Sequence, residues 1–255
     1  MAERIDFDEL QMYFGEPYVI DLPSAVGKIT VYEPTIGDII KIGQTKFFET
    51  LMPFITNPTQ NRLALWDAGI DWNTINDFQL FCLLYKTINP EVATLLFGDV
   101  DWSDFELNTK SFPDSDEAEV VLWSKNQEIE INEEVYQHFH QYLQTVFKIK
   151  PEDELTDSKY LKEWWIRKDR VAQRQKAKKN IKETSMLTLI SSCLNHPGFK
   201  YKKSELREVG VCEFYDSVSR LQVYETSTAC LKGMYSGFVD GSKIDPEQYN
   251  FMKNI

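Results

Sequence analysis

The sequence predicts a mainly α-helical protein with two small β hairpins, in which an α+β N-terminal half is joined by a basic helix to an all-helical C-terminal half. Three observations carry this prediction. Two pairs of short β-rich runs flank turn-forming loops, one pair at 18–32 and one at 120–131. After Ser158 the apolar residues recur at steps of three and four. Between Lys159 and Lys182 stand ten Lys or Arg against only Glu163 and Asp169, a local balance of +8 in a chain whose net charge is −12.

The first hairpin is read from Tyr18-Val19-Ile20-Asp21-Leu22 and Lys28-Ile29-Thr30-Val31-Tyr32 around the loop Pro23 to Gly27. Thr35 followed by Asp38 marks a capping box for a helix that carries Ile36, Ile39, Ile40, Phe47, Phe48 and Leu51 and stops near Pro53. A second apolar stretch runs from Phe78 to Ile88, where Asn89-Pro90 interrupts it. From Asp99 to Glu119 the chain reads as acidic and irregular, with Pro113 to Glu117 an exposed loop and a subdomain seam nearby.

The second hairpin is read from Val120-Val121-Leu122-Trp123 and Glu128-Ile129-Glu130-Ile131. Asn132 then caps a helix bearing Val135, Phe139, Tyr142, Leu143, Val146 and Phe147, which ends around Lys150-Pro151. Ser158 caps the basic helix, with Glu152, Asp153, Glu154 and Asp157 near its positive end. Met186 to Leu194 forms a compact apolar helix stopped by Asn195-His196-Pro197-Gly198, and Ser204 caps a short turn ending at Gly210. The final helix places Phe214, Val218, Leu221, Tyr224, Leu231, Tyr235 and Phe238 on one face. The organisation is therefore 1–150, α+β; 151–183, the basic connector helix; and 184–255, helical.

At 255 residues, 42% apolar and 13% aromatic, the composition is globular. No eighteen apolar residues run together and the chain does not open with a basic-then-apolar leader, so a soluble protein without membrane contact is expected. Cys82, Cys193, Cys212 and Cys230 form no Cys-x-x-Cys pair and read as small buried hydrophobes of a reducing cytosol.

Catalytic constellations are sparse. His138 and His140, two apart on a helix, point about 200° from each other, unlike the one-face spacing of a zinc pair, and read as surface or partly buried histidines, while His196 sits in a helix stop. Asp99-Val100-Asp101-Trp102-Ser103-Asp104 opens like a calcium loop but continues with Asp104 where glycine is needed and Lys110 where glutamate is needed. No phosphate loop, nucleophile elbow or dinucleotide fingerprint occurs. The expectation is a non-enzymatic protein with no metal and no cofactor. An enzyme built from distant carboxylates remains the third alternative.

The cations Lys162, Arg167, Lys168, Arg170, Arg174, Lys176, Lys178, Lys179 and Lys182 spread around the whole helix circumference. That fits a solvated connector or docking to an acidic protein surface better than duplex reading, which wants one cationic stripe. A nucleic-acid-binding regulator, using this helix and the turn at Ser204 to Gly210, is kept as an alternative. Trp164-Trp165 reads as an anchor to the core, or, if exposed, as a binding hot spot.

Leu187-Thr188-Leu189-Ile190-Ser191-Ser192, His196-Pro197-Gly198, Phe214 to Leu221, Leu231 to Gly237 and Ile244-Asp245 together resemble the C-terminal part of tail-assembly proteins of tailed bacteriophages, the tail assembly chaperones or baseplate-hub assembly proteins. Leu22-Pro23-Ser24, Gly27-Lys28 and Ile29-Thr30-Val31 are similar to openings of the same group. The resemblance implies a bacteriophage protein of virion assembly that binds a tape-measure protein or another tail or baseplate protein in the host cytoplasm. Retention in the virion as a structural protein, and self-association, are the further readings. The expected contact residues are Trp164, Trp165, Phe214, Val218, Leu221, Tyr224, Leu231, Tyr235 and Phe238, with the nine cations above as electrostatic guides.

Overall fold

The computed structural model describes residues 4–22, 27–111, 118–178 and 186–254. It is mainly helical with two small antiparallel sheets, as the sequence predicts. The loop at 23–26, the acidic loop at 113–117, and Lys179 and Lys182 lie outside the described residues.

A short helix α1 (Glu9–Tyr13), capped by the Asp8 carboxylate, precedes the first hairpin. Strands β1 (Tyr18–Asp21) and β2 (Lys28–Val31) pair from Tyr18 opposite Val31 to Asp21 opposite Lys28, and the alternation buries Ile20, Ile29 and Val31. The Thr35–Asp38 capping box forms and starts α2 (Ile36–Ile42). The single helix expected from here to Pro53 is two helices, because Gly43 takes φ 98° and turns the chain before α3 (Gln44–Ile55). Nor does Pro53 end α3, which runs on to Ile55 at the loss of one backbone hydrogen bond.

Helix α4 (Arg62–Asp67) was not expected; it follows a turn in which Asn57 and Gln60 bond reciprocally. Helix α5 (Asp77–Leu84) covers the apolar stretch read from Phe78. Asn89-Pro90 both interrupts that stretch and begins α6 (Pro90–Phe97), with proline at the first helical position where no N–H is missed. The interval 99–119 is corrected as well. It contains β3 (Phe105–Ser111), which pairs with β4 (Ala118–Ser124), so the second hairpin with β5 (Ile129–Ile131) is a three-stranded meander. Glu128, at φ 55°, makes the turn from β4 to β5.

Asn132 caps α7 (Glu133–Val146) by accepting the Val135 N–H at 3.0 Å. This helix carries the centre of the core. Phe54, Phe81, Phe97, Trp102, Tyr136 and Phe139 contact one another with centroids 4.8–6.0 Å apart, drawing α3, α5, α6 and α7 together. The same core takes Met186 and Cys193 from α9 (Met186–Leu194), and Val211, Cys212 and Phe214 from α10 (Val211–Tyr235). A second, smaller cluster of Leu65, Trp72, Leu80 and Ile166 seats the start of α8 (Lys159–Lys178).

The beginning of α10 is stitched to the N-terminal half by backbone. Ile36 N–H donates to Val209 O at 3.0 Å, Val211 N–H donates to Pro34 O at 3.1 Å, and Thr35 bridges Gly210. Ser204, expected as a side-chain cap, makes no cap bond to the turn at Glu205–Glu208.

Candidate interaction surface

Two elements leave the body of the protein: the second half of α8 and the second half of α10. The first half of α8 is held by charge as much as by apolar contact. Ser158 Oγ accepts the Leu161 N–H, and Ile166 fills the smaller cluster. Arg62, itself buried, grips Asp169 with two bonds, Nε at 2.6 Å and a terminal nitrogen at 3.1 Å, and also reaches Glu154. Hydrogen bonding to Asp169 and then Glu154 raises the Arg62 pKa against the opposing effect of burial. Its guanidinium also lies over the Trp165 ring, 5.4 Å from the centroid.

The expected tryptophan pair is therefore split. Adjacent residues on a helix are about 100° apart, so when Trp165 turns to Trp72 (6.4 Å between centroids) Trp164 must face outward, where it is 49% exposed under the Lys168 ammonium. The cations divide in the same way. Lys162 pairs with Asp71 beside the Trp72 ring, Arg170 pairs with Asp67, and Arg167 lies 3.5 Å from Glu163, so these three help hold α8 to the turn after α4, to α4 and to itself. From Val171 to Lys178 every residue is exposed, Arg174, Lys176 and Lys178 included.

The apolar stripe of α10 also has two fates. Phe214 is 0% exposed inside the chain's own core, and Val218 and Leu221 are partly buried against that core, so these three residues seat the helix. From Arg220 onward α10, whose Glu225 pairs with His196 at 3.2 Å, is flanked by the chain's own tail running back along it. Ser227 Oγ donates to Gln248 O at 3.3 Å and an Arg220 terminal nitrogen donates to Lys253 O at 2.7 Å. Gly233 lets the tail approach, since a Cβ there would stand 2.8 Å from a Val239 methyl.

Helix α10 ends at Tyr235, so Phe238 is not on the helix as expected; it follows the turn at Gly237, φ 73°. Tyr224 is exposed, Leu231 is half-buried, and Tyr235 and Phe238 are 87% and 90% exposed. Phe251 and Met252 of the tail are exposed too, and Leu10 of α1 and Phe14 just after it add a further exposed apolar pair. None of these four stands out in the sequence, because no periodic stripe includes them.

Elsewhere, the histidines and the acidic run that the sequence singles out have local structural partners. His138 Nδ1 lies 2.6 Å from the Tyr18 hydroxyl, and His140 is buried with Nδ1 2.7 Å from Phe54 O. The Asp101 carboxylate caps its own turn through the Ser103 N–H, and Asp104 braces the β4–β5 turn through Ser124 and Asn126. The four cysteines are free, and burial pushes the Cys82 and Cys212 thiols up to about 11. No helix among the described residues is long and apolar enough to cross a membrane.

Compared with protein-family models, with curated proteins and with solved structures, the chain matches none.

Proposed function

We propose that this chain is a non-enzymatic protein of phage tail morphogenesis, which binds the tape-measure protein or another tail or baseplate protein during assembly. The observation that carries this reading is the aromatic end of α10. Tyr235 and Phe238 are large apolar side chains held out in water on an ordered helix end and turn, and such groups are the usual anchors of protein–protein contact. The exposed cations of α8 from Arg174 to Lys178 supply electrostatic guidance toward an acidic partner.

The test is capture of a purified tape-measure protein by the full chain and by a Tyr235→Ser/Phe238→Ser variant. Capture by the first and not by the second supports the reading; no capture by either, or equal capture by both, overturns it. A structural protein of the finished virion would additionally be found in purified particles.

Nucleic-acid contact is the second reading, favoured by the exposure of Arg174 and Lys178 on all-round helix surface. The net charge of −12 opposes it. Charge reversal at Arg174 and Lys178 would abolish a salt-dependent shift of labelled DNA under this second reading, whereas under the first the wild type gives no such shift.

A further inference from the structure

We propose that the free edge of β3 pairs with the same strand of a second copy of this chain, antiparallel and centred on Asn108, to join the two meanders into one six-stranded sheet. In the sheet order β3-β4-β5 the strand β3 has β4 on one side and no strand on the other among the described residues. An open strand edge of this length is a template for another strand. It is open from its second residue: the Phe105 carbonyl accepts the Lys86 ammonium at 2.9 Å, which closes the first position and implies that this carbonyl points away from β4.

That contact also sets the parity of the edge. A strand residue directs its N–H and C=O to the same side, so Leu107 and Thr109, two and four residues on, share the outward direction of Phe105. An antiparallel partner centred on Asn108 places Leu107 opposite Thr109 of the second copy, and the reverse. Outward groups then meet outward groups in two pairs that each exchange both backbone bonds. Centring between two residues would put Leu107 opposite a residue of the wrong parity, and among the residue-centred registers the charges decide.

Charge selects the same register. Within Glu106–Lys110 the only charged residues are Glu106 and Lys110, symmetric about Asn108 and on one face of the strand. The two-fold pairing sets each Glu106 opposite the Lys110 of the other copy, in the closer, non-hydrogen-bonded type of pair. A parallel arrangement in register would set Glu106 on Glu106 and Lys110 on Lys110. Lys110 already bonds Glu130 at 2.9 Å and is 42% exposed, so its ammonium has donors left for a second carboxylate. On the opposite face Leu107, 53% exposed, would gain apolar cover from its own copy across the axis. This self-complementarity favours a second copy over an unrelated extended peptide.

The test is sedimentation velocity on the full chain across a concentration series. A dimer is expected for the wild type, weakened about tenfold or more in Glu106→Lys and in Lys110→Glu, because each variant turns two attractive pairs into repulsive ones. Mixing the two variants in equal amounts should regain a dimer, now of one chain of each kind, since every facing pair is again opposite in charge. Lys110→Glu also loses the Glu130 contact, so Thr109→Pro serves as a second probe. It removes an outward N–H without touching the β4 ladder and should likewise weaken the dimer. A wild type that stays monomeric up to its solubility limit overturns the proposal. So does a dimer that none of the three substitutions weakens, or one that the mixture fails to regain.

Discussion

The Glu33 carboxylate accepts the backbone N–H of Cys212 at 2.6 Å, across 179 residues of chain, and so caps the longest helix among the described residues from outside it. The bond satisfies one of the open donors at the start of α10, where Gly210 offers no side-chain cap. It also places a carboxylate in a poorly solvated site. Burial pushes the Glu33 pKa from 4.5 up to about 7, opposed by the Cys212 N–H and assisted by the charge of Glu213.

The sign of the consequence is set by proton uptake. Between pH 4.5 and about 7 the folded chain holds a proton on Glu33 that the unfolded chain has released, so stability from this group falls as pH rises through that window. Glu33→Gln keeps a carbonyl acceptor for Cys212 and removes the titration. Denaturant midpoints should therefore lose less on going from pH 4.5 to 7 in the variant than in the wild type; equal losses would rule the assignment out.

Gly210 makes the cap possible by having no side chain. A Cβ there would lie 2.4 Å from the Glu33 Oε1, closer than any contact allows. Gly210→Ala must displace the carboxylate, and with it the Cys212 bond and the Thr35 bridge. A loss of about 2 kcal/mol is expected in chemical unfolding, and Glu33→Gly in the alanine background should recover part of it by clearing the space.

Arg62 plays the corresponding part for α8. Removing it leaves Asp169 and Glu154 without their shared partner and uncovers the Trp165 ring. Both carboxylates are partly exposed, which moderates the cost, so Arg62→Ala should destabilise by about 2 kcal/mol and expose α8 to limited proteolysis before the rest of the chain. Arg62→Lys should rescue less than half, because an ammonium cannot make the two-bond grip on Asp169. Full rescue by lysine would show that charge alone holds the helix.

His140 acts on pH in the opposite sense to Glu33. Burial lowers its pKa from 6.5 to about 4 against the raising effect of the Phe54 carbonyl, so the folded chain keeps it neutral where the unfolded chain would protonate it. Its stability is present above pH 6.5 and lost as pH falls toward about 4. Asp77, 3.7 Å from its Nε2, is raised to about 6 by burial and by the charges of Asp153 and Glu133, and works in the same direction as Glu33. His140→Gln should flatten the acid-side loss of stability in thermal melts taken at pH 6.5 and pH 4, whereas an unchanged acid-side loss would place its origin elsewhere.

Much of the fold was legible because local signals and burial agree. The first hairpin alternates cleanly, and Thr35 and Asn132 are caps whose partners lie three residues on. Strand β3 was missed because Glu106, Asn108, Thr109 and Lys110 are polar or charged on an exposed edge, and a strand covered on neither side shows no apolar alternation. Gly43 was missed because one glycine inside a helical pattern shows no sign of which φ it will take.

The contact surface was half legible. Spacing assigned Phe214 to Tyr235 to one face of one helix, and that face exists. Spacing carries no information about what covers a face. The first turns of α10 are covered by α7, α1 and the Glu33 segment, and only the last by water, so Phe214 and Tyr235 share a stripe with opposite exposure. Arg62 was not foreseen because its partners lie 92 and 107 residues away.

The claim at the centre is that the end of α10 recognises another protein chain while its beginning only holds the fold. Equilibrium binding of a purified tape-measure protein should be compared for Tyr235→Ser/Phe238→Ser and for the wild type, with unfolding followed on the same samples. The account predicts binding lost by at least tenfold with the melting temperature unchanged, as expected for two exposed anchors. Binding that survives the double substitution, or a melting temperature that falls with it, would contradict it.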